Sequence, residues 1–487
     1  MLKKSLFVLL LFNIFLEART QQGLSTFDWM VTTFEQNDAG FKDIVEKNGR
    51  DQYNQHTSRF REKVASATSE EEGLTFMNDW LQWFRPDHIG IIKNVAKAQG
   101  RKLTNDEVRA LYKNTPTIDL TERALVKQLE GRKSSLPIEG VWSNGRYTIG
   151  IVKDTKAEGK LSAFIIKADN LYWMPGQIKA NLKLNSDGNT YDVEFFLRDH
   201  SAQNVTAKLV GSSGALLEMS GLWNRVYPKV EMNIDEQLAV KALSSKKPFV
   251  QKIDLQTVYL RIPSFSIENK PFIDSVLIRN DSLLASTCNL IIDIRNGTGG
   301  SDYSFKKLMP YLYTQPLRSS GMEYYATELN AHAYELYADE VKDDTITYNF
   351  CINTAKLLRA NLGKFVTLSD GRSVYVDTLD RVMPNPQRVG IICNKNNGST
   401  DEAFLLLAKQ SRKVKVFGHP TGGMLDYSNL NQIASPDGQY TLFTCVTRSF
   451  RIPHYCIDGV GIQPDYFIDG TIDEMDWIDF TRRTLLE

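Results

Sequence analysis

The spacing of hydrophobic residues divides the chain into regions of different secondary structure. From Thr26 to about Thr121, apolar residues recur at intervals of three and four, as in VTTFEQNDAGFKDIVEKN and EEEGLTFMNDWLQWF, which predicts helices. Between Leu136 and Val230, short runs rich in Val, Ile, Phe and Tyr, such as KLSAFIIKAD and YDVEFFLRD, are separated by Gly, Asn and Asp. This second pattern predicts successive β-strands in a small antiparallel barrel or sandwich.

Strands and helices alternate in the last region, from Thr257 onward. Apolar runs such as TVYLRIPSF, NLIIDIRNG, RVGIICNKN and KVKVFGHPT are separated by helical stretches that include ATELNAHAYELYADEV, FCINTAKLLRANL and TDEAFLLLAKQSRK. This alternation predicts a mostly parallel sheet flanked by helices. We therefore expect a multidomain α/β protein, with a helical region at 22–133, a small all-β domain at 134–238 and an α/β core at 245–487.

The first residues have the pattern of a secretory signal peptide. In MLKKSLFVLLLFNIFLEART, two lysines precede an apolar run from Leu6 to Leu16, and Ala18 supplies a small residue for cleavage. We expect residues 1–18 to be removed on export, which places the mature protein in the periplasm or outside the cell. A retained N-terminal anchor is the alternative. No later stretch approaches the roughly 18 apolar residues of a membrane span, so we expect no integral membrane segment in the mature chain.

Composition and charge narrow the class of protein. Of the 487 residues, 42% are hydrophobic and 24% are charged, which is typical of a soluble globular protein. Lys plus Arg and Asp plus Glu each total 58, without a long run of one sign, so no nucleic-acid partner is predicted. The five cysteines lie at spacings that match no zinc pattern, so no metal site is predicted. The alternatives for Cys445 and Cys456 are a disulfide between neighbouring strands and burial as free thiols.

A serine stands at a predicted strand-to-helix corner in RVGIICNKNNGSTDEAFLLLAK. The strand ends at Asn394, a polar loop with Gly398 follows, and Ser399 precedes a helix that starts near Thr400. A serine at such a corner exposes its hydroxyl at the sheet edge, where free amides of the first helical turn face whatever it attacks. The alternative is an ordinary N-cap, because Ser399 and Glu402 also fit a capping box.

A second loop, in NLIIDIRNGTGGSD, contains three glycines after a predicted buried strand. Glycine lets the backbone approach a ligand closely and turn its amides inward, as an oxyanion hole requires. Glycine loops after strands are common, so the feature is weak by itself. Neither GxxxxGK[ST] nor a GxGxxG with a suitably placed acidic residue occurs, so no nucleotide-binding loop is predicted.

Together these stretches resemble the C-terminal processing (tail-specific) peptidases and their relative, the tricorn core protease, over most of Thr257 to Ile468. VYLRIPSF resembles the family's strand ending in Ser-Phe, IIDIRNGTGG its Gly-Gly loop, and NGSTDEAF its nucleophile loop, in which the catalytic serine stands three before a Glu. FGHPTGG resembles its Gly-x-x-Thr-x-Gly segment, and GVGIQPDYFI its Gly-x-x-Pro-Asp signature. The resemblance implies a crotonase-like α/β core and a serine-type peptidase that acts on peptide or protein substrates without a cofactor, with Ser399 as nucleophile.

The residue expected as general base depends on one position at which this chain differs from the tail-specific members. Tail-specific members carry a lysine directly after Thr-x-Gly, but this chain has Met424 there, whose thioether cannot accept the proton of a serine. In the tricorn-like branch, a histidine from before the core and an acidic residue shortly before Gly-x-x-Pro-Asp take over. LQWFRPDHIGI resembles that histidine segment, with its Asp one position closer, and implies His88 as the base and Asp458 as the carboxylate that orients it.

The resemblance also implies an oxyanion hole made by the amide of Thr400 and by a glycine of the second loop, Gly299 or Gly300. Tail-specific relatives have a peptide-binding PDZ domain before the core, where this chain has its strand-rich segment, so recognition of a free C-terminal carboxylate is not implied. The alternative function is a catalytically inactive binding protein for an apolar ligand or peptide, as in the related interphotoreceptor retinoid-binding modules. Loss of the dyad lysine favours this alternative, and the joint presence of Ser399, His88 and Asp458 disfavours it.

Overall fold

The computed structural model describes residues 21–94, 104–132, 136–154, 159–368 and 371–487. The predicted signal peptide, residues 1–18, lies outside the described residues. The described residues pack as two compact units: the first contains those up to 94 and 246–467, and the second those from 104 to 245 and 468–487. Within these ranges, no helix is both long enough and apolar enough to cross a membrane.

The first unit begins with helices whose apolar faces pack together. The elements are α1 (21–37), α2 (Phe41–Asn48), α3 (Arg50–Ala65), α4 (Glu70–Gln82) and β1 (Gly90–Lys93). Ser69 caps α4, because its side chain accepts a hydrogen bond from the Glu72 amide. The sequence predicted helix throughout, but β1 is a strand because its backbone pairs with residues 440–443 far along the chain.

The second unit contains a closed barrel of antiparallel strands. Its elements up to residue 245 are α5 (Asn105–Tyr112), α6 (Glu122–Glu130), β2 (Gly140–Ser143), β3 (Thr148–Lys153), β4 (Lys160–Lys167), β5 (Ile178–Leu184), β6 (Thr190–Phe196), β7 (Ala202–Val210), β8 (Leu216–Glu218), β9 (Leu222–Tyr227) and α7 (Ile234–Ser244). Each strand pairs with the next, and β9 pairs with β2, which closes the barrel. Buried apolar side chains that include Trp142, Trp173 and Trp223 fill its interior.

The chain then returns to the first unit and alternates strands with helices. The elements are β10 (Phe249–Lys252), β11 (Thr257–Arg261), α8 (Lys270–Arg279), α9 (Asp281–Ser286), β12 (Asn289–Asp293), α10 (Met309–Leu312), β13 (Leu317–Ser320), β14 (Met322–Tyr325), α11 (Glu328–Glu340), α12 (Thr345–Arg359), β15 (Phe365–Val366), β16 (Val374–Asp377), β17 (Arg388–Cys393), α13 (Thr400–Ala408), β18 (Val414–Gly418), β19 (Tyr427–Ala434), β20 (Tyr440–Ser449) and β21 (Tyr466–Phe467). The last helix, α14 (Trp477–Leu486), belongs to the second unit.

A six-stranded sheet forms the centre of the first unit, in the order β10-β11-β12-β17-β18-β21. All neighbours from β11 to β21 are parallel, and β10 is an antiparallel edge strand. The predicted mixture of helices and α/β structure, with several sheets, is confirmed. Asp293 at the end of β12 pairs with Ile392 near the end of β17, so the loops that follow these strands emerge side by side.

A second sheet of the first unit has the order β1-β20-β14-β15, with β19 also paired to β20. Because β1 and β19 both pair with β20, the loop before β1 is brought to the start of β19. That loop carries His88, and β19 begins at Tyr427. The pairing of β1 and β19 with β20 therefore joins the early helical region to the last strands of this second sheet through backbone hydrogen bonds.

Candidate active site

Ser399 lies at the corner between the loop after β17 and helix α13, where the sequence placed it. Its backbone has φ 57° and ψ −120°, a conformation that residues with a Cβ rarely adopt. Strain of this kind persists at a strand-to-helix turn that presents a nucleophile. Ser399 and Glu402 have the arrangement of a capping box, but the Ser399 hydroxyl makes no cap hydrogen bond. The hydroxyl is therefore left for other chemistry.

The fully buried carboxylate of Glu402 ties this corner to the segment 421–427, TGGMLDY. It accepts hydrogen bonds from the amides of Ser399 at 3.2 Å, Gly423 at 2.7 Å and Met424 at 2.9 Å, and from the Thr421 hydroxyl. Burial raises the pKa of Glu402, and these donors act in the opposite direction. Glu402 therefore holds segment 421–427 beside Ser399.

Met424 fills the position where tail-specific relatives place their lysine. A Cβ added to Gly398 would lie only 2.5 Å from both Cγ and Sδ of Met424, so the thioether packs directly against the residue before Ser399. The side chain at this position is close to Ser399 but carries no group that takes up a proton. Met424 therefore supplies no base for Ser399.

His88 lies in the loop between α4 and β1, with a left-handed backbone at φ 60°. Its Nδ1 lies 2.8 Å from the backbone oxygen of Tyr427. A carbonyl only accepts, so Nδ1 carries the proton and Nε2 of the neutral ring is a proton acceptor. Across the described residues, no hydrogen bond joins the His88 ring to the Ser399 hydroxyl. Both residues instead contact the segment 421–427, His88 at Tyr427 and Ser399 through Glu402.

A buried ion pair holds the His88 loop. Arg85 donates two hydrogen bonds to Asp38, at 2.9 and 2.5 Å, and its guanidinium lies 5.0 Å above the ring of Tyr427. The Asp38 carboxylate also accepts from the Cys445 amide on β20. Cys445 is a free thiol that lies 3.2 Å from the His88 carbonyl oxygen, so it forms no disulfide with Cys456. These contacts fix the backbone on both sides of His88.

Asp458 contacts the same segment but not the His88 ring. Its carboxylate accepts from the amides of Leu425 and Asp426 at 2.6 Å each, and from the Tyr427 amide at 3.4 Å. In turn, the Asp426 carboxylate accepts a hydrogen bond from the Asp458 amide at 2.8 Å. Burial raises the pKa of Asp458, and the neighbouring charge of Asp426 adds to this effect. Asp458 thus contacts His88 only indirectly: it binds the backbone of residues 425–427, and the Tyr427 carbonyl binds the His88 ring.

The glycine loop 297–300 lies directly against Ser399. A Cβ added to Gly299 would lie 2.9 Å from the Ser399 Cβ and 3.2 Å from the Thr400 amide nitrogen. Gly300 and Phe265 form a parallel bridge. Its two hydrogen bonds run from the Phe265 amide to the Gly299 carbonyl and from the Ser301 amide to the Phe265 carbonyl. The Gly300 amide takes part in neither and points away from the bridge. Among the described residues, no hydrogen bond involves the amide of Gly300 or Thr400, whereas the Gly299 amide donates to Asp401 at 3.4 Å. Thr400, next to Ser399, and Gly300, next to Gly299, therefore have free backbone donors.

Residues 256–468 match the family model described as peptidase family S41. The matched residues make up most of the C-terminal α/β region, which is therefore similar to peptidase family S41. The match contains Ser399, Asp458 and the glycine loop, and His88 precedes it. It confirms the family resemblance carried by the five motifs. The match to S41 supports a serine-type peptidase that acts on peptide or protein substrates.

Solved structures similar to this chain include mature CPAF, with 11% sequence identity, a TM-score of 0.48 and coverage of 96% of this chain and 97% of that chain. The photosystem II D1 C-terminal processing protease has 10% identity, a TM-score of 0.36 and coverages of 92% and 93%. The tricorn protease has 10% identity, a TM-score of 0.39 and coverages of 96% and 36%. At TM-scores below 0.5, these likenesses assign no residue role, substrate or assembly to this chain. No curated protein matches it.

Sequence reasoning missed three residues that shape this site. Arg85 and Asp38 are each nearly fully buried. The only signal for Arg85 in the sequence was its place directly after the apolar run LQWF, and Asp38 follows the polar residues EQN, which mark nothing. Asp401 is 1% exposed, but an acidic residue in the first turn of a helix is ordinarily a solvated one that favours the helix dipole. Nothing in its local sequence marks Asp401 as buried.

Proposed function

We propose that this chain is an exported serine peptidase that hydrolyses peptide bonds through an acyl-enzyme on Ser399, with His88 as general base. The observation that carries the proposal is the strained, left-handed backbone of Ser399 at the start of α13, with a hydroxyl that makes no cap hydrogen bond. The match to family S41 supports the same reaction.

In the proposed mechanism, the Ser399 hydroxyl oxygen attacks the carbonyl carbon of the peptide bond. His88 Nε2 accepts the hydroxyl proton and then delivers it to the leaving amine, and water hydrolyses the resulting ester by the same route. The amides of Thr400 and of a glycine in the loop, Gly300 or Gly299, stabilise the oxyanion. Hydrogen bonds between base and nucleophile often tighten only when substrate is bound, so the ring and hydroxyl are expected to close on the Michaelis complex.

Asp458 is proposed to orient His88 through the backbone of segment 421–427 and not by direct contact. With three amides bound to Asp458, the Tyr427 carbonyl is held where His88 Nδ1 donates to it. A backbone carbonyl is an established partner for fixing the tautomer of a histidine. The arrangement leaves Nε2 available for the hydroxyl proton.

The location and domain roles are part of the proposal. Residues 1–18 act as the signal peptide, and the mature protein works in the periplasm or outside the cell on peptide or protein substrates. Residues 245–487 form a crotonase-like peptidase core, preceded by a helical region at 22–133 that supplies His88 and a small all-β domain at 134–238. No cofactor and no nucleic acid take part.

Covalent labelling by a fluorophosphonate probe tests this function without knowledge of the substrate. We expect the purified chain to be labelled on the peptide that contains Ser399, as located by mass spectrometry. Labelling should vanish in Ser399→Ala and persist in Ser244→Ala, an exposed serine at the end of α7.

Absence of labelling would favour the second candidate function, a catalytically inactive binding protein for an apolar ligand or peptide. Met424 in place of the dyad lysine is the observation that supports this second function. If the folded wild-type chain is not labelled but binds an apolar ligand or peptide tightly, the peptidase proposal is wrong.

A further inference from the structure

Asp401 is a buried acid that joins the nucleophile helix to the glycine loop. Its Oδ2 accepts from the Asn397 side-chain amide at 2.9 Å and from the Gly299 amide at 3.4 Å. Asn397 also donates to the Ile294 carbonyl at 2.6 Å, at the start of the same loop. A Cβ added to Gly297 would lie 2.4 Å from Asp401 Oδ2, so the carboxyl packs against the loop without a gap.

The surroundings of Asp401 favour a neutral carboxyl. The residue is 1% exposed, and its Oδ1 is buried without a hydrogen-bond partner. The donors around the carboxyl are the Asn397 side chain and the backbones of Gly299 and Gly398, and all three are uncharged. A buried carboxylate with one bare oxygen is costly, whereas a carboxylic acid carries its proton there at much smaller cost.

The charged and titratable neighbours do not reverse this preference. Glu402 on α13 and Cys393 on β17 interact with Asp401, and Lys409, just after α13, and Asp293, at the end of β12, lie near Cys393. Another acid, Asp302, makes a hydrogen bond with the side chain of Thr400, next to Asp401 in the chain. Arg261 and Arg295 pair with Asp293, and Lys409 pairs with Asp465. Burial raises the pKa of the Cys393 thiol to about 12, so that group stays neutral. Burial, with a smaller contribution from the charge of Glu402, raises the pKa of Asp401 to about 7.

We propose that Asp401 is a positioning residue of the candidate active site, which holds the glycine loop 297–300 beside Ser399 in its neutral, protonated form. This inference rests on the proposed function. The Gly299 amide that it binds is adjacent in the chain to the Gly300 amide, which is a free donor. A negative charge on Asp401 would oppose the negative charge that develops on the oxyanion, so activity falls as Asp401 loses its proton.

The rate of fluorophosphonate labelling of Ser399 between pH 5 and pH 10 tests the inference on the full chain. In the wild type, we expect the second-order rate constant to fall on the alkaline side of about pH 7. Asp401→Asn mimics the protonated acid, because its side-chain oxygen still accepts from Asn397 and Gly299. This variant should lack the alkaline fall and label roughly 10-fold faster than the wild type at pH 9.

Two further variants separate this role from a structural one. Asp401→Ala removes the tether, so it should label roughly 10-fold more slowly at every pH, with folding checked by circular dichroism. Asp339→Asn, an exposed carboxylate on α11, should reproduce the wild-type profile. If the wild type is labelled and Asp401→Asn has the same pH profile, this inference is wrong but the proposed function is not. Absence of wild-type labelling at every pH overturns the proposed function, and this inference with it.

Discussion

Three of the seven described non-glycine residues with a positive φ lie in the loops that build the site. His88 has φ 60°, Asn296 has φ 59° and Ser399 has φ 57°, although none is a glycine. Each such residue costs on the order of 1–3 kcal/mol and persists only where its surroundings enforce it. At Ser399 the enforcement is visible, because its amide is held by Glu402 and its Cβ faces Gly299.

Replacing Ser399 by glycine should therefore stabilise the fold while it removes the nucleophile. Relative to Ser399→Ala, we expect Ser399→Gly to raise the free energy of unfolding by about 1 kcal/mol, because glycine adopts φ 57° without strain. The same pair of substitutions at Ser66, where φ is −94°, should give the opposite order. Denaturant unfolding measures both differences. Equal stability of the two Ser399 variants would show that this backbone is unstrained.

At the scale of elements, a buried ion pair connects the α1–α2 turn to the His88 loop. The side chains of Asp38 and Arg85 are 0% and 3% exposed, and removal of one partner leaves the other charge uncompensated. The Asp28–Arg61 pair has similar bidentate geometry, but its side chains are 51% and 52% exposed. The two pairs therefore differ mainly in burial.

Asp38→Ala should destabilise the first unit by about 3–5 kcal/mol, because Arg85 stays buried without its partner. Labelling of Ser399 should also slow, since Arg85 no longer holds the ring of Tyr427 and the loop of His88. Asp28→Ala should change both quantities only slightly, because water screens the exposed pair. Urea unfolding and labelling rates check the pair of variants. Similar effects of the two substitutions would contradict this role for the buried pair.

The strands of the core could be predicted because buried parallel strands appear in sequence as unbroken apolar runs. The runs TVYLR, NLIID and RVGIIC became β11, β12 and β17. Strand β1 could not be predicted, because its partner is β20, some 350 positions later. The choice between barrel and sandwich stayed open for the same reason, since closure depends on the long-range pairing of β2 with β9.

The motifs predicted the types and places of the site residues better than their contacts. Ser399 at a strand-to-helix corner and a glycine loop beside it agree with the structure. The sequence offered Asp458 as a direct partner of His88, but its carboxylate binds the amides of residues 425–427. Hydrogen bonds to the backbone depend on loop conformation, which side-chain identity does not specify.

At the scale of the whole molecule, the mechanism depends on two residues separated by about three hundred positions. Pairing of β1 and β19 with β20 brings the His88 loop to Tyr427, and Glu402 brings Ser399 to the same segment 421–427. The early helical region and the core are therefore expected to form one catalytic unit. An isolated core that begins at residue 245 should lack the base.

The most direct test of this account is the labelling rate of Ser399 in His88→Ala. A general base contributes roughly 10²- to 10⁴-fold in rate, so we predict a loss of at least about 100-fold relative to the wild type at neutral pH. His332→Ala, an exposed histidine on α11, is the matched control and should label at the wild-type rate. A folded His88→Ala variant that labels as fast as the wild type would contradict the account.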